Sequence, residues 1–352
     1  MDKKVKNIML TAAGAGLGGL SAAVVASHVA IYDKIFVRYE RPDYSLTPGI
    51  VCLDRIKEKV DKEEVSFYSD DVLLKGNYFY VKKPKGIVVM AHGIRSGGDD
   101  YLNIVLYFIK HNYNVFSFNY KGTYDSEGDS TVGLCESLVD VDHAIDYLLS
   151  NSKYNKLPLF LFGHSWGGYA VSSVLSLQDK IKACACVSGM NSGYTMMVEK
   201  ASQYVGKLSS TAKPFFDIYQ KLLFKEYTKY NATMGINKSN IPIVIAHGVD
   251  DKVIVFDKQS IISHYKDFTN KNIEYYIGKG YQGDHTDIMF SINAIAYQKE
   301  IESEIKLLEM KKGSKLTNEE LAELYKNVDH YRYSEVNEEL MNLIIKTFDS
   351  TL

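Results

Sequence analysis

Between residues 86 and 277 the chain alternates between two kinds of segment. Short apolar runs at 86–91, 115–120, 157–162, 183–188, 241–246 and 273–277 are separated by amphipathic stretches at 101–111, 134–149, 167–177 and 258–268. A run apolar at every position suits a strand buried on both faces, which arises when crossover helices cover a parallel sheet. The pattern predicts an α/β fold with a mostly parallel central sheet flanked by helices. Two strands at 64–69 and 75–81, turning at Asp70 and Asp71, precede it. A closing helix at 337–348 carries Leu340, Leu343, Ile344 and Phe348 at helical spacing. Two stretches break the rhythm: 191–240, rich in Met and Phe, reads as a helical cap insertion, and 303–333 as a charged helical insertion.

A minimal α/β enzyme domain needs roughly 250 residues, so a chain of 352 carries a surplus beyond one such domain. The 41 basic and 43 acidic residues leave a net charge of −2, without the basic face that a nucleic-acid partner requires. Cys52, Cys135, Cys184 and Cys186 have no zinc-ligand spacing, and Cys184 and Cys186 fall on one face of a strand, too close to bridge. Free thiols and no metal are expected.

Part of the surplus is N-terminal. Lys3, Lys4 and Lys6 precede a stretch, 8–32, without Asp, Glu, Lys or Arg. As a helix at ~1.5 Å per residue it would exceed the ~30 Å hydrocarbon layer. Residues 1–43 are therefore read as a membrane anchor or a signal segment, with Val24-x-Ala26 as a cleavage site in the second case and a buried helix as the remaining reading. The stretch also contains Gly14-Ala15-Gly16-Leu17-Gly18-Gly19, which fits G-x-G-x-x-G, with Glu40 downstream where a ribose-binding acid would stand. An FAD- or NAD-binding oxidoreductase is the alternative of another class. The competing reading is helix packing in a membrane through Gly14 and Gly18.

The sharpest chemical signal is Gly163-His164-Ser165-Trp166-Gly167-Gly168, directly after the run 157–162 and before a helical pattern. A nucleophile at the apex of a strand-to-helix turn needs small neighbours because the backbone there is strained and crowded. A serine hydroxyl also needs a base to take its proton and an acid to orient that base, here in the chain order Ser, Asp, His. His247-Gly248-Val249-Asp250-Asp251 follows the run 241–246; the spacing H-G-x-x-D selects Asp251, with Asp250 as the other choice. Of the later histidines, His264 falls in a predicted helix and His330 in the charged insertion, whereas His285 lies in a polar loop, 280–287, after the run 273–277. His285 is the predicted base. The backbone N–H groups of Ile94, in the loop after the run 86–91, and of Trp166 are the predicted oxyanion donors. His92 is read as a buttress of its loop, and neither His164 nor His247 is given an acid–base role.

In these motifs the chain, over roughly 65–352, resembles α/β-hydrolase-fold serine hydrolases: monoacylglycerol lipases, lysophospholipases, carboxylesterases and serine aminopeptidase-like hydrolases. The resemblance implies Ser165, Asp251 and His285 as a triad and Ile94 and Trp166 as oxyanion donors. It departs from the D-x-R-G-x-G-x-S pattern of many members at Asn119 and Lys121, and the 303–333 insertion is larger than the usual link to the last helix. The domain over 44–352 is thus expected to hydrolyse a small-molecule acyl ester through an acyl-enzyme, without a cofactor. A serine peptidase or thioesterase on the same fold is the alternative. The Met and Phe of 191–240 would either line an acyl pocket or pack the cap onto the core. The catalytic domain is expected outside a bacterial-type membrane.

Overall fold

The structure, a computed structural model, describes residues 34–197, 199, 217–218 and 220–352. Eight strands form one sheet in the order β1-β2-β4-β3-β5-β6-β7-β8. They are β1 (Asp61–Ser69), β2 (Val72–Tyr80), β3 (Ile87–Ala91), β4 (Asn114–Phe118), β5 (Leu159–His164), β6 (Ile181–Val187), β7 (Ile243–Gly248) and β8 (Ile273–Gly278). The β1–β2 hairpin and the β2–β4 pair are antiparallel, and the remaining pairs are parallel. The predicted architecture is the one observed.

The wholly apolar runs are explained by where their side chains go. Ile87, Val89 and Ala91 of β3 face one core, while Val88 and Met90 face another, and β5 divides the same way between Leu161 and the pair Phe160 and Phe162. With a two-residue period and both faces covered, a polar side chain in a central strand is buried and needs a partner, as Asn114 of β4 finds in Val81 N and the Tyr78 hydroxyl. The first core is covered by α2 (Glu136–Ser150), α3 (Trp166–Ser173) and α4 (Ala232–Ser239), which supply Leu138, Val171 and Ile236. The second is covered by α1 (Leu102–Lys110) and, at the C-terminus, by α8 (Glu338–Asp349), where Phe348 stacks on Phe160 and Phe108. Cys184 and Cys186 lie on one face of β6 as free, buried thiols.

Two expectations need revision, and one open choice is decided for the described residues. The amphipathic stretch 258–268 folds only as a short 3-10 turn, Ile262–Asp267. Hydroxyls compete there with a helical ladder: Ser263 Oγ donates to the carbonyls of Lys258 and Ser260, and Ser260 Oγ accepts from Ser263 N. The charged insertion, drawn at 303–333, begins earlier, because α5 runs unbroken over Ile292–Lys312 before α6 (Asn318–Lys326) and the single turn α7 (His330–Tyr333). In 191–240, Met196, Met197 and Phe224 are buried in apolar clusters, so these residues pack the insertion onto the core. Phe215, Phe216 and the whole 8–32 stretch with Gly14–Gly19 lie outside the described residues. Among the described residues, no helix is long and apolar enough to cross a membrane.

Glycine is required where α3 leaves β5. A Cβ on Gly163 would lie 2.3 Å from the Gly167 carbonyl oxygen, and one on Gly167 would lie 2.0 Å from that of Ala91. Because those neighbours are backbone, nothing can move aside. The substitution Gly167→Ala is therefore expected to lower the unfolding free energy by about 1–3 kcal/mol or more, measured by denaturant titration. A neutral or stabilising result would contradict the close approach.

Candidate active site

The parallel strands deliver four loops to one edge of the sheet: His92–Ile94 after β3, the Ser165 turn after β5, the Asp251 loop after β7 and the His285 loop after β8. In an open α/β sheet this carboxyl edge is where sites gather. Ser165 has φ 58° and ψ −114°, a left-handed conformation that L residues avoid at a cost of about 1–3 kcal/mol. The turn is held because Ser165 N donates to the Val187 carbonyl at 2.8 Å while α3 starts at the next residue.

The predicted residues meet. Ser165 Oγ lies 2.8 Å from His285 Nε2, and His285 Nδ1 lies 2.6 Å from Asp251 Oδ2. Asp251 is buried, and its other oxygen accepts the backbone N–H groups of Val253 and Ile254 at 2.8 and 2.9 Å. Burial raises the carboxyl pKa, but hydrogen bonds from His247 and His285 more than offset this and hold it well below the ordinary carboxylate value. Asp251 is thus a fixed anion that orients the His285 ring, with the proton on Nδ1 and Nε2 free to accept. Asp250 is exposed and takes no part in this chain of bonds.

Gly93 comes so close to the serine that a Cβ there would be 3.5 Å from Ser165 Cβ. Ile94 and Ser165 line one cavity of about 520 Å³. Trp166 begins α3, where first-turn N–H groups have no intrahelical acceptor, so its N–H is available beside the nucleophile. Its indole is buried against Tyr120 and donates to the Leu134 carbonyl at 2.6 Å.

Three further histidines, His92, His164 and His247, act as struts, and the first two are held neutral by burial. His92 Nδ1–H donates to the Gly93 carbonyl at 2.8 Å and Nε2 accepts from Tyr120 N at 3.2 Å; burial lowers its pKa to about 4. His164 Nε2–H donates to the His285 carbonyl at 3.1 Å, and its Nδ1 accepts from the Tyr101 hydroxyl at 2.7 Å. Tyr101 Oη in turn accepts from Gly93 N at 2.9 Å. One chain of hydrogen bonds therefore joins the Gly93–Ile94 loop, the serine turn and the His285 loop. Burial, then the neighbouring His285, lowers the His164 pKa to about 3. His247 Nε2 donates to the Ile254 carbonyl at 2.8 Å and lies 3.1 Å from Asp251 Oδ2.

The sequence reading missed Tyr101 and the positioning parts of His164 and His247. The spacing Gly163-His164-Ser165 marked His164 as adjacent to the turn, but nothing local tied it to Tyr101, 63 residues away. The two departures from the family pattern are structural ties: Asn119 Oδ1 accepts from Gly98 N at 2.9 Å, and Lys121 Nζ pairs with buried Glu136 at 2.5 Å. Burial, together with neighbouring Asp140, raises the Glu136 carboxyl pKa, which Lys121 only partly counters. Neither Lys121 nor Glu136 lines the Ser165 cavity. His264 is an exposed partner of Asp267, and His330 holds the Pro48 carbonyl. Among the described residues there is no cluster suited to a metal ion.

Residues 82–240 match a family model described as serine aminopeptidase, S33. The chain is 30% identical over 173 residues to the uncharacterized protein YfhR of Salmonella typhi, covering 47% of this chain and 54% of that one. It is 25% identical over 174 residues to the lysophosphatidylserine lipase ABHD12 of Danio rerio, covering 48% of this chain and 44% of that one. The chain thus matches these curated relatives over about half their length. Among solved structures, the Pyrococcus furiosus esterase Pf2001 superposes with a TM-score of 0.51 at 17% identity, covering 72% of this chain and 93% of that one. Sheet order, serine turn and the structural superposition together define an α/β-hydrolase fold.

The buried histidines set a pH dependence. For His164, the unfolded value near 6.5 falls to about 3 on folding, so its stabilising contribution is complete above pH 6.5 and is lost as pH falls toward 3. A glutamine keeps one donor and one acceptor but does not titrate. Between pH 6.5 and 4, His164→Gln is expected to lose stability less steeply than wild type, the gap changing by up to about 1.4 kcal/mol per pH unit. Parallel slopes in chemical denaturation would show that His164 is not held neutral.

Proposed function

We propose that the protein is a serine esterase that hydrolyses a carboxylic ester with an apolar part, through an acyl-enzyme on Ser165. The observation that carries this reading is the Ser165–His285–Asp251 hydrogen-bonded chain at the wall of the 520 Å³ cavity. His285 Nε2 takes the hydroxyl proton as Ser165 Oγ bonds to the carbonyl carbon, and the N–H groups of Ile94 and Trp166 receive the oxyanion. Collapse breaks the ester C–O bond, and His285 returns the proton to the leaving alcohol. A water activated by the same ring then releases the acid and restores the serine. Asp251 stays ionised throughout and stabilises the imidazolium.

The lining favours an ester of apolar character. Ile50, Val51, Ile94, Ile104, Met289 and Phe290 contribute to it. Asp100 is the one carboxylate among the described lining residues, and its Oδ2 already accepts from Gly97 N and the Tyr124 hydroxyl. The named activity of the lipase relative also points to a lipid-like ester.

A fluorophosphonate probe tests the nucleophile: wild type is expected to label and Ser165→Ala not, with nitrophenyl ester hydrolysis falling at least about 10³-fold. Equal labelling of the two would overturn the assignment. The sequence further supports a membrane anchor at 8–32 with the catalytic domain outside the cell. Protease shaving of intact cells should then degrade the domain, whereas full protection would exclude that topology.

A further inference from the structure

The Ser165 cavity is closed by parts of the chain outside the alternating α/β core. Thr47, Pro48, Gly49, Ile50 and Val51 line it, together with Tyr333 and Ser334, and no described residue of 191–240 does. Residues 47–51 carry no regular structure that would hold them there. A single 3-10 turn, Tyr44–Leu46, precedes them.

What holds them comes from two sides. The Arg55 guanidinium donates to the carbonyls of Tyr44, Thr47 and Gly49. From the far end of the charged insertion, Ser334 Oγ accepts from Ile50 N at 2.8 Å and His330 Nδ1 donates to the Pro48 carbonyl at 2.7 Å. Ser334 is itself tied to the core, because Asn103 Nδ2 in α1 donates to its carbonyl at 2.9 Å. Ser334 is 6% exposed and Ile50 4%, so these bonds are shielded from water. A buried backbone N–H left without its acceptor is costly, which makes this clamp specific to one position of the strap.

We propose that the charged helical insertion acts on substrate choice by clamping residues 47–51 over the cavity. This strap then forms a wall against which the apolar part of the ester packs. The inference rests on the esterase reading and assigns its specificity. Thr47 and Pro48 are half-buried, Ile50 is buried, and all three line the cavity, so a longer chain in contact with the strap meets more of its apolar surface.

Full-length wild type, Thr47→Trp and Ser334→Ala are compared on nitrophenyl esters of two to twelve acyl carbons and on alkyl acetates of the same range. Labelling at Ser165 by a fluorophosphonate is checked first. A wild type that does not label refutes the esterase reading itself. If all three label, Thr47→Trp is expected to lower kcat/KM for the longest chains at least tenfold relative to the shortest, through KM, in one of the two series. The series that responds identifies which side of the ester meets the strap. Ser334→Ala, which frees the strap, is expected to flatten the same chain-length profile. Labelled, active variants whose profiles match wild type in both series would overturn the proposal.

Discussion

The close approach of backbone to backbone at the serine turn governs the rest of the site. Gly163 and Gly167 let the first turn of α3 pack against the ends of β3 and β5, and that contact drives Ser165 to a positive φ. The strain is affordable because both flanking elements belong to the buried centre of the sheet, where Val88, Phe160 and Phe162 are fully enclosed. The same packing leaves the Trp166 N–H at the opening of a helix and the Gly93–Ile94 loop against the serine. The strained Ser165 backbone and the placement of the Ile94 loop and the Trp166 N–H beside it are therefore consequences of one local crowding.

The electrostatics follow from burial. Asp251 is kept ionised by two backbone N–H groups and two imidazoles, while His92 and His164 are kept neutral by the same exclusion of water. A neutral imidazole offers one donor and one acceptor, so His164 can pass a fixed polarity from Tyr101 to the His285 carbonyl. The loops carrying Ile94, Ser165 and His285 thus share one hydrogen-bonded network, and all three residues line the cavity.

Local regularity decided what could be read in advance. Strands buried on both faces announce themselves as apolar runs, and a strand-to-helix serine turn must carry glycines, so the sheet, Ser165, Asp251 and His285 were legible. The stretch 258–268 was misread because amphipathic spacing says nothing of Ser260 and Ser263, whose hydroxyls bind the backbone instead. Tyr101, Asn103 and Ser334 carried no local signal, since each acts on a partner distant in sequence.

By itself, the sequence determined the α/β architecture and picked out Ser165, Asp251 and His285, which meet at the carboxyl edge of the sheet, because periodicity and turn chemistry are properties of neighbouring residues. Tertiary structure alone decided what surrounds them. It brought 47–51 and 333–334 to the mouth of the cavity, seated Met196, Met197 and Phe224 in the core, and joined three loops through Tyr101 and His164. Such contacts depend on how distant segments close on one another, and the free energy that selects them comes from burial and paired polar groups that exist only once the chain has folded.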